Sequence, residues 1–145
     1  MSTFILLVVV AAIGGIAVTL QAQFMGLMDS GMGTLESMFI TYGSGAALIS
    51  IAILLLRGAN LGAWRSVPAY ALTAGVLGLI IIGAIGYTVP RLGLVPALTI
   101  LVAAQFIAAG LINHFGILGA SLQPLDLTRL LGMAVVLFGI WLIIR

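Results

Sequence analysis

FILLVVVAAIGGIAVTLQAQFMGLM, residues 4–28, contains no charged side chain. A helix needs roughly 20 apolar residues to cross a hydrocarbon core, and this run supplies them. Its polar members, Thr19, Gln21 and Gln23, are all neutral. No basic segment precedes it and no small-residue cleavage pattern follows it. It therefore reads as a helix of the mature protein and not as a signal peptide.

Working outward, four more stretches have the same character: residues 34–56, 68–88, 94–115 and 127–144. Between them lie short polar breaks. DSGMG (29–33) and VPRLG (89–93) read as tight turns, and RGANLGAWRS (57–66) and GASLQPLD (119–126) as longer loops. Pro68 suits a first helical turn, Trp64 an interface anchor, and Asp126 the N-cap of the last helix. The runs are continuous and not alternating, which argues against a β-barrel. The expected fold class is an all-α membrane protein, one transmembrane domain over residues 1–145 with five spanning helices.

Composition agrees. The 145 residues are 63% hydrophobic and 6% charged, against about 25% charged in a soluble domain. The solvent of this surface is the lipid bilayer. There are no cysteines, so no disulfides or thiol chemistry. Five scattered arginines do not make the clustered basic face that nucleic acid requires. The spans and their loops leave no room for a separate enzyme domain. No acid pair, Ser–His arrangement or metal-ligand cluster is spaced for catalysis, so neither an enzyme nor a cofactor or metal site is expected.

Five spans put the two ends of the chain on opposite sides. Arg57, Arg65 and Arg129 then share one side, and Arg91 and Arg145 the other. Orientation follows an Arg/Lys excess in cytoplasmic loops, and three against two is almost none. Such a chain can insert both ways up and pair as an antiparallel homodimer, giving the inverted repeats that underlie alternating access. Alternatively, the one extra arginine fixes a single orientation.

Because lipid tails are as apolar as Leu, spanning helices associate through small residues. Gly75, Gly78, Ile82 and Gly86 form one stripe of the third helix. Gly14, Ala17 and Gln21 share a face of the first, Gly43 and Ala47 align in the second, Ala104 and Ala108 in the fourth, and Gly132 and Gly139 in the fifth.

The polar residues at depth are the candidate functional ones. Gln105 sits inside VAAQFIAAGLINHFG (102–116). An amide facing lipid would be left unsatisfied at a cost of several kcal/mol, so Gln105 either bonds to another helix or lines a wet cavity. Thr19 and Gln23 lie one turn apart. Ser37, Thr41 and Ser44 recur on the second helix beside Tyr42. Gln105, Gln23, Tyr42, Thr41, Thr19 and Ser44 are the candidate substrate-binding residues. Glu36 is either a helix-N-terminal carboxylate favoured by the dipole or a proton-coupling group in a cavity. Arg91 either snorkels to headgroups or serves as a gate or anion contact. His114, a lone histidine at a helix C-terminus, reads as a positive group facing the dipole.

The segments AAQFIAAGLINHFGILG (103–119) and QPLDLTRLLGMAVVLFGIWLI (123–143), with VPRLG, LQAQFMGLM (20–28) and GTLESMFITYGSG (33–45), resemble the YdcZ-type inner membrane exporters of the drug/metabolite transporter superfamily. The resemblance covers nearly the whole chain. It implies a five-helix half-unit of a ten-helix transporter fold, working as a pair in the bacterial inner membrane and exporting a small molecule. Two departures stand out: Asn113 occupies a position where the family commonly has an acid, and Phe24, Met25 and Gly26 stand where an asparagine is frequent. The expected function is small-molecule export by alternating access. The competing reading is a non-transporting assembly or regulatory subunit whose polar groups only lock helices together.

Overall fold

The computed structural model describes residues 2–56 and 60–145, so Arg57 and its loop neighbours lie outside the described residues. Five helices are long and apolar enough to cross a membrane. They are α1 (Ser2–Met32), α2 (Thr34–Leu56), α3 (Ala74–Leu92), α4 (Leu94–Phe115) and α5 (Leu127–Ile144). Two 3-10 segments, Leu61–Ser66 and Ala69–Thr73, lead into α3, and a third, Ile117–Gly119, follows α4. No strand occurs among the described residues. The helices form two compact units, one ending at Arg91 and one beginning at Leu92.

The helix ends depart from the composition-based reading. Asp29–Met32 continue α1, and Val89–Leu92 continue α3 through Pro90. Each expected turn shrinks to one glycine. Gly33 has φ 104° and Gly93 φ 88°, a backbone region that a Cβ disfavours. The Gly33 N–H donates to the Asp29 carbonyl at 3.0 Å, while the Gly33 carbonyl accepts from Ser37 at 3.1 Å. One residue thus closes one helix and opens the next. Pro90 removes one helical N–H near the end of α3, where little helix remains to be disrupted. At the start of α3, Pro68 precedes a 3-10 segment, and the α-helix begins at Ala74.

In the first unit the buried residues cluster where α1, α2 and α3 meet. Ala22, Met25 and Ser37 are fully buried, and Ile82, Ile85 and Val89 nearly so. Gly86 is the point of closest approach. A Cβ there would lie 3.4 Å from Met25 Cε, 3.4 Å from Ser37 Oγ and 3.7 Å from Thr34 Cγ2. Three helices converge on a residue with no side chain, as small-residue packing in membranes requires. By contrast, Thr3–Gln21 is exposed throughout, a surface that only lipid or another chain can solvate.

Of the expected glycine seams, Gly78 and Gly86 meet neighbours. Gly14, Gly43, Gly75, Gly132 and Gly139 face open space, because the periodicity that aligns small residues does not say which aligned face another helix covers. Gly26 and Gly83, outside the expected seams, make tight contacts with Val89 and Met38.

In the second unit, Asp126 caps α5 as its position suggested, its Oδ1 accepting the Arg129 N–H at 2.8 Å. Gly116, at φ 59°, ends α4 in the left-handed conformation. At the C-terminal end of α4, the His114 Nδ1 accepts the Leu125 N–H at 3.0 Å. The ring ties the α4 end to the chain entering α5, alongside the Gln123 N–H donating to the Asn113 carbonyl at 2.8 Å.

Candidate functional site

Thr41 and Tyr42 leave α2 toward a groove of about 530 Å³ that Gln21 of α1 and Gly78 and Ile82 of α3 also line. A second groove, of about 410 Å³, shares Gln21 and Thr41 and reaches Ser44 and Phe24. These volumes fall in the range of small-molecule sites. Neither lining includes a charged residue.

The Thr41 hydroxyl donates to the Ser37 carbonyl at 2.8 Å, and the Ser44 hydroxyl to the Thr41 carbonyl at 3.2 Å. Bonding back to the helix is usual for hydroxyls in spans. It uses their protons and leaves their oxygens as acceptors. Gln21 and Tyr42 make no side-chain hydrogen bond to other described residues. Gln21 therefore offers two donors and an acceptor, and the Tyr42 hydroxyl one donor. The site combines neutral polar groups with apolar walls from Ile49, Ile81 and Ile82.

Gly78 sets the position of Tyr42. A Cβ at residue 78 would collide with Tyr42 Oη and come within 3.1 Å of Cζ. Gly78→Ala is expected to swing the phenol out of the groove, and Gly78→Ala with Tyr42→Ala to relieve the collision. In a background without Trp64 and Trp141 and with Tyr70→Phe and Tyr87→Phe, so that Tyr42 is the sole emitter, its fluorescence is expected to report a changed environment with the single substitution.

The remaining candidates lie elsewhere. Thr19 is exposed, its hydroxyl donating to the Gly15 carbonyl at 3.0 Å. Gln23 is exposed and lines neither groove. Two residues from Gln21, it points to the opposite side of α1. Gln105, exposed midway along α4, belongs to the second unit and does not line the cleft between α4 and α5. Glu36 is exposed at the start of α2, its carboxylate folded over Gly33, with Oε2 2.7 Å from where a Cβ would stand. That is the location the helix dipole favours for an anion.

Arg91 has its anion within the chain. Its Nη1 lies 3.3 Å from Asp29 Oδ2, with the Asp29 side chain 5% exposed and that of Arg91 49%. Nη1 also donates to the Tyr87 carbonyl at 2.6 Å, and the guanidinium lies 3.8 Å from the centre of the Tyr87 ring. The Thr34 hydroxyl donates to Asp29 Oδ1. Asp29, expected only as a turn residue, thereby joins the ends of α1 and α3 to the start of α2.

A family model described as "Putative inner membrane exporter, YdcZ" matches residues 6–142. The chain belongs to this family. The match covers all five spans apart from a few terminal residues. The family description and the five apolar helices together make the chain an integral protein of the inner membrane. No match was found among curated proteins or among solved structures.

Proposed function

We propose that the protein exports a neutral, amphipathic small molecule by alternating access, as an antiparallel homodimer. Membership of a family described as inner membrane exporters supports transport. The observation that carries the substrate reading is the uncharged groove with Gln21 and Tyr42 as free donors and isoleucine walls. A charged solute would find no partner there, and burying an unpaired charge is prohibitive. A molecule with one or two hydrogen-bonding groups on an apolar body fits.

The pairing rests on a separate observation. Gln105 is exposed midway along α4, at the depth where an unsatisfied amide is most costly. A second copy of the chain would satisfy it. The exposed face over Thr3–Gln21 needs lipid or a partner in the same way. Thr19, Gln23 and Gln105 thus act at contacts between copies, and Gln21, Thr41, Tyr42 and Ser44 face the solute. Glu36 acts as a helix-end carboxylate.

The test does not depend on knowing the substrate. The chain has no cysteine, so Ala46→Cys puts a single thiol in the groove wall. In proteoliposomes, a membrane-impermeant maleimide added from either side is expected to reach it. Gln21→Leu is expected to leave the fold intact and lower efflux of a neutral amphiphilic fluorophore about 2–10-fold, the value of one hydrogen bond. Gln105→Leu is expected to weaken dimerisation instead. A thiol unreachable from both sides would contradict alternating access through this groove.

A further inference from the structure

We infer that the cleft between α4 and α5 is a binding site for an anionic phospholipid. This goes beyond the transport reading and stands independently of it.

The cleft has a volume of about 440 Å³ and lies wholly within the second unit. Its lining is graded along its length. At the loop end it presents Asn113, Gln123 and Arg129. One turn inward come Gly110 and Met133, and two turns inward Phe106 and Val136. Seven residues of helix span about 10 Å, so the cleft passes from headgroup level to hydrocarbon. That gradient matches a lipid lying parallel to the helices.

The head end carries the sign of the ligand. Arg129 is the cation of the rim, and no carboxylate lines the cleft. Among the described residues the Arg129 guanidinium makes only a 3.4 Å bond to the Gln123 carbonyl and no ion pair. Asp126, one turn before it, uses its carboxylate to cap the Arg129 backbone N–H at 2.8 Å. The Asn113 side-chain amide has no partner within the described chain. One free cation beside a free amide suits a phosphate with a single negative charge. A choline or ethanolamine headgroup adds an ammonium for which the cleft lining offers no carboxylate, since Asp126 is engaged in capping α5. Arg91 makes the contrast, with its charge answered by Asp29.

The tail end is kept open by missing side chains. A Cβ on Gly110 would come within 3.3 Å of Met133 Cε, while one on Gly132 meets nothing within 4 Å. Gly132 lines the cleft, so a larger residue there would occupy the space of an acyl chain without disturbing a packed neighbour.

The test uses the full chain in detergent with equimolar dioleoyl phosphatidylglycerol and dioleoyl phosphatidylcholine, with bound lipid counted by native mass spectrometry. The wild type is expected to retain phosphatidylglycerol about fivefold over phosphatidylcholine, the preference conferred by one arginine near the headgroup. Arg129→Gln is expected to bring the two lipids to parity, and Arg129→Lys to restore the preference. Gly132→Leu is expected to reduce retention of both lipids, whereas Gly139→Leu, at another open position of α5, is not. Parity in the wild type, or a preference surviving Arg129→Gln, would overturn the inference. Loss of the preference in Arg145→Gln alone would overturn it too. Displacement of phosphatidylglycerol by millimolar inorganic phosphate would show a free-anion site instead and equally refute it.

Discussion

Arg91→Gln is expected to destabilise the protein by about 2 kcal/mol, more than Asp29→Asn does. Removing one partner of a buried ion pair costs about 3–5 kcal/mol when the remaining charge stays buried, and the half-exposure of Arg91 lowers that figure. The two changes differ because the two ends of the pair differ. Asp29 is the enclosed member, and it sits in the last turn of α1, where the helix dipole already disfavours a carboxylate. Without Arg91 it keeps only the Thr34 hydroxyl. Asp29→Asn retains an acceptor for that hydroxyl. It leaves Arg91 bonded to the Tyr87 carbonyl and stacked on the Tyr87 ring, so its cost is expected to stay within about 1 kcal/mol. The double variant should be more stable than Arg91→Gln alone. Denaturant unfolding in detergent, followed by helicity, measures all three. Equal losses for the two single variants would mean that the pair is not enclosed as described.

The second large effect is expected at Gly26, which is buried against α3. A Cβ there would lie 2.8 Å from Val89 Cγ1 and 3.4 Å from Val89 Cβ. The obstructing atom is on a β-branched residue with little rotamer freedom in a helix, so the helices themselves must move. Gly26→Ala is expected to cost about 1–3 kcal/mol, as overpacking does, and Gly26→Leu to disrupt the first unit. Val89→Ala removes the obstructing methyl, and Gly26→Ala with Val89→Ala should recover much of the loss. Gly14, on the same helix, has nothing within 4 Å of a Cβ. Gly14→Ala should therefore change the stability of the single chain by no more than about 0.5 kcal/mol.

The spans were legible because lipid demands long apolar runs, and the demand is written residue by residue. The Asp126 cap was legible for a similar reason, being a local hydrogen bond between neighbours in sequence. The helix ends were not, since DSGM and VPRL look like turn sequences yet continue helices, and only the positive φ of Gly33 and Gly93 stops them. Thr41, Tyr42 and Ser44, which read as one polar patch on α2, line the two neighbouring grooves, Tyr42 the first, Ser44 the second and Thr41 both. On α1 the glutamine that lines the groove is Gln21 and not Gln23. Gln23 looked right because Thr19 lies one turn before it, but Gln21 faces α2 and α3. A helix apolar on every side has no solvent-facing stripe to orient it, so sequence alone could not separate them. The alignment of Gln21 with Gly14 and Ala17 was the available signal. The Asp29–Arg91 pair spans 62 residues, and no local pattern announces a contact at that separation.

The central claim is that one copy is half of an antiparallel pair. Single cysteines at Ser66 and Ser121, in the two loops assigned to one side of the membrane, test it in a chain with no other thiol. In intact cells with a membrane-impermeant maleimide, the account predicts that each position labels in about half of the molecules, and that permeabilisation exposes the rest. Complete labelling of both positions from one side only would contradict it.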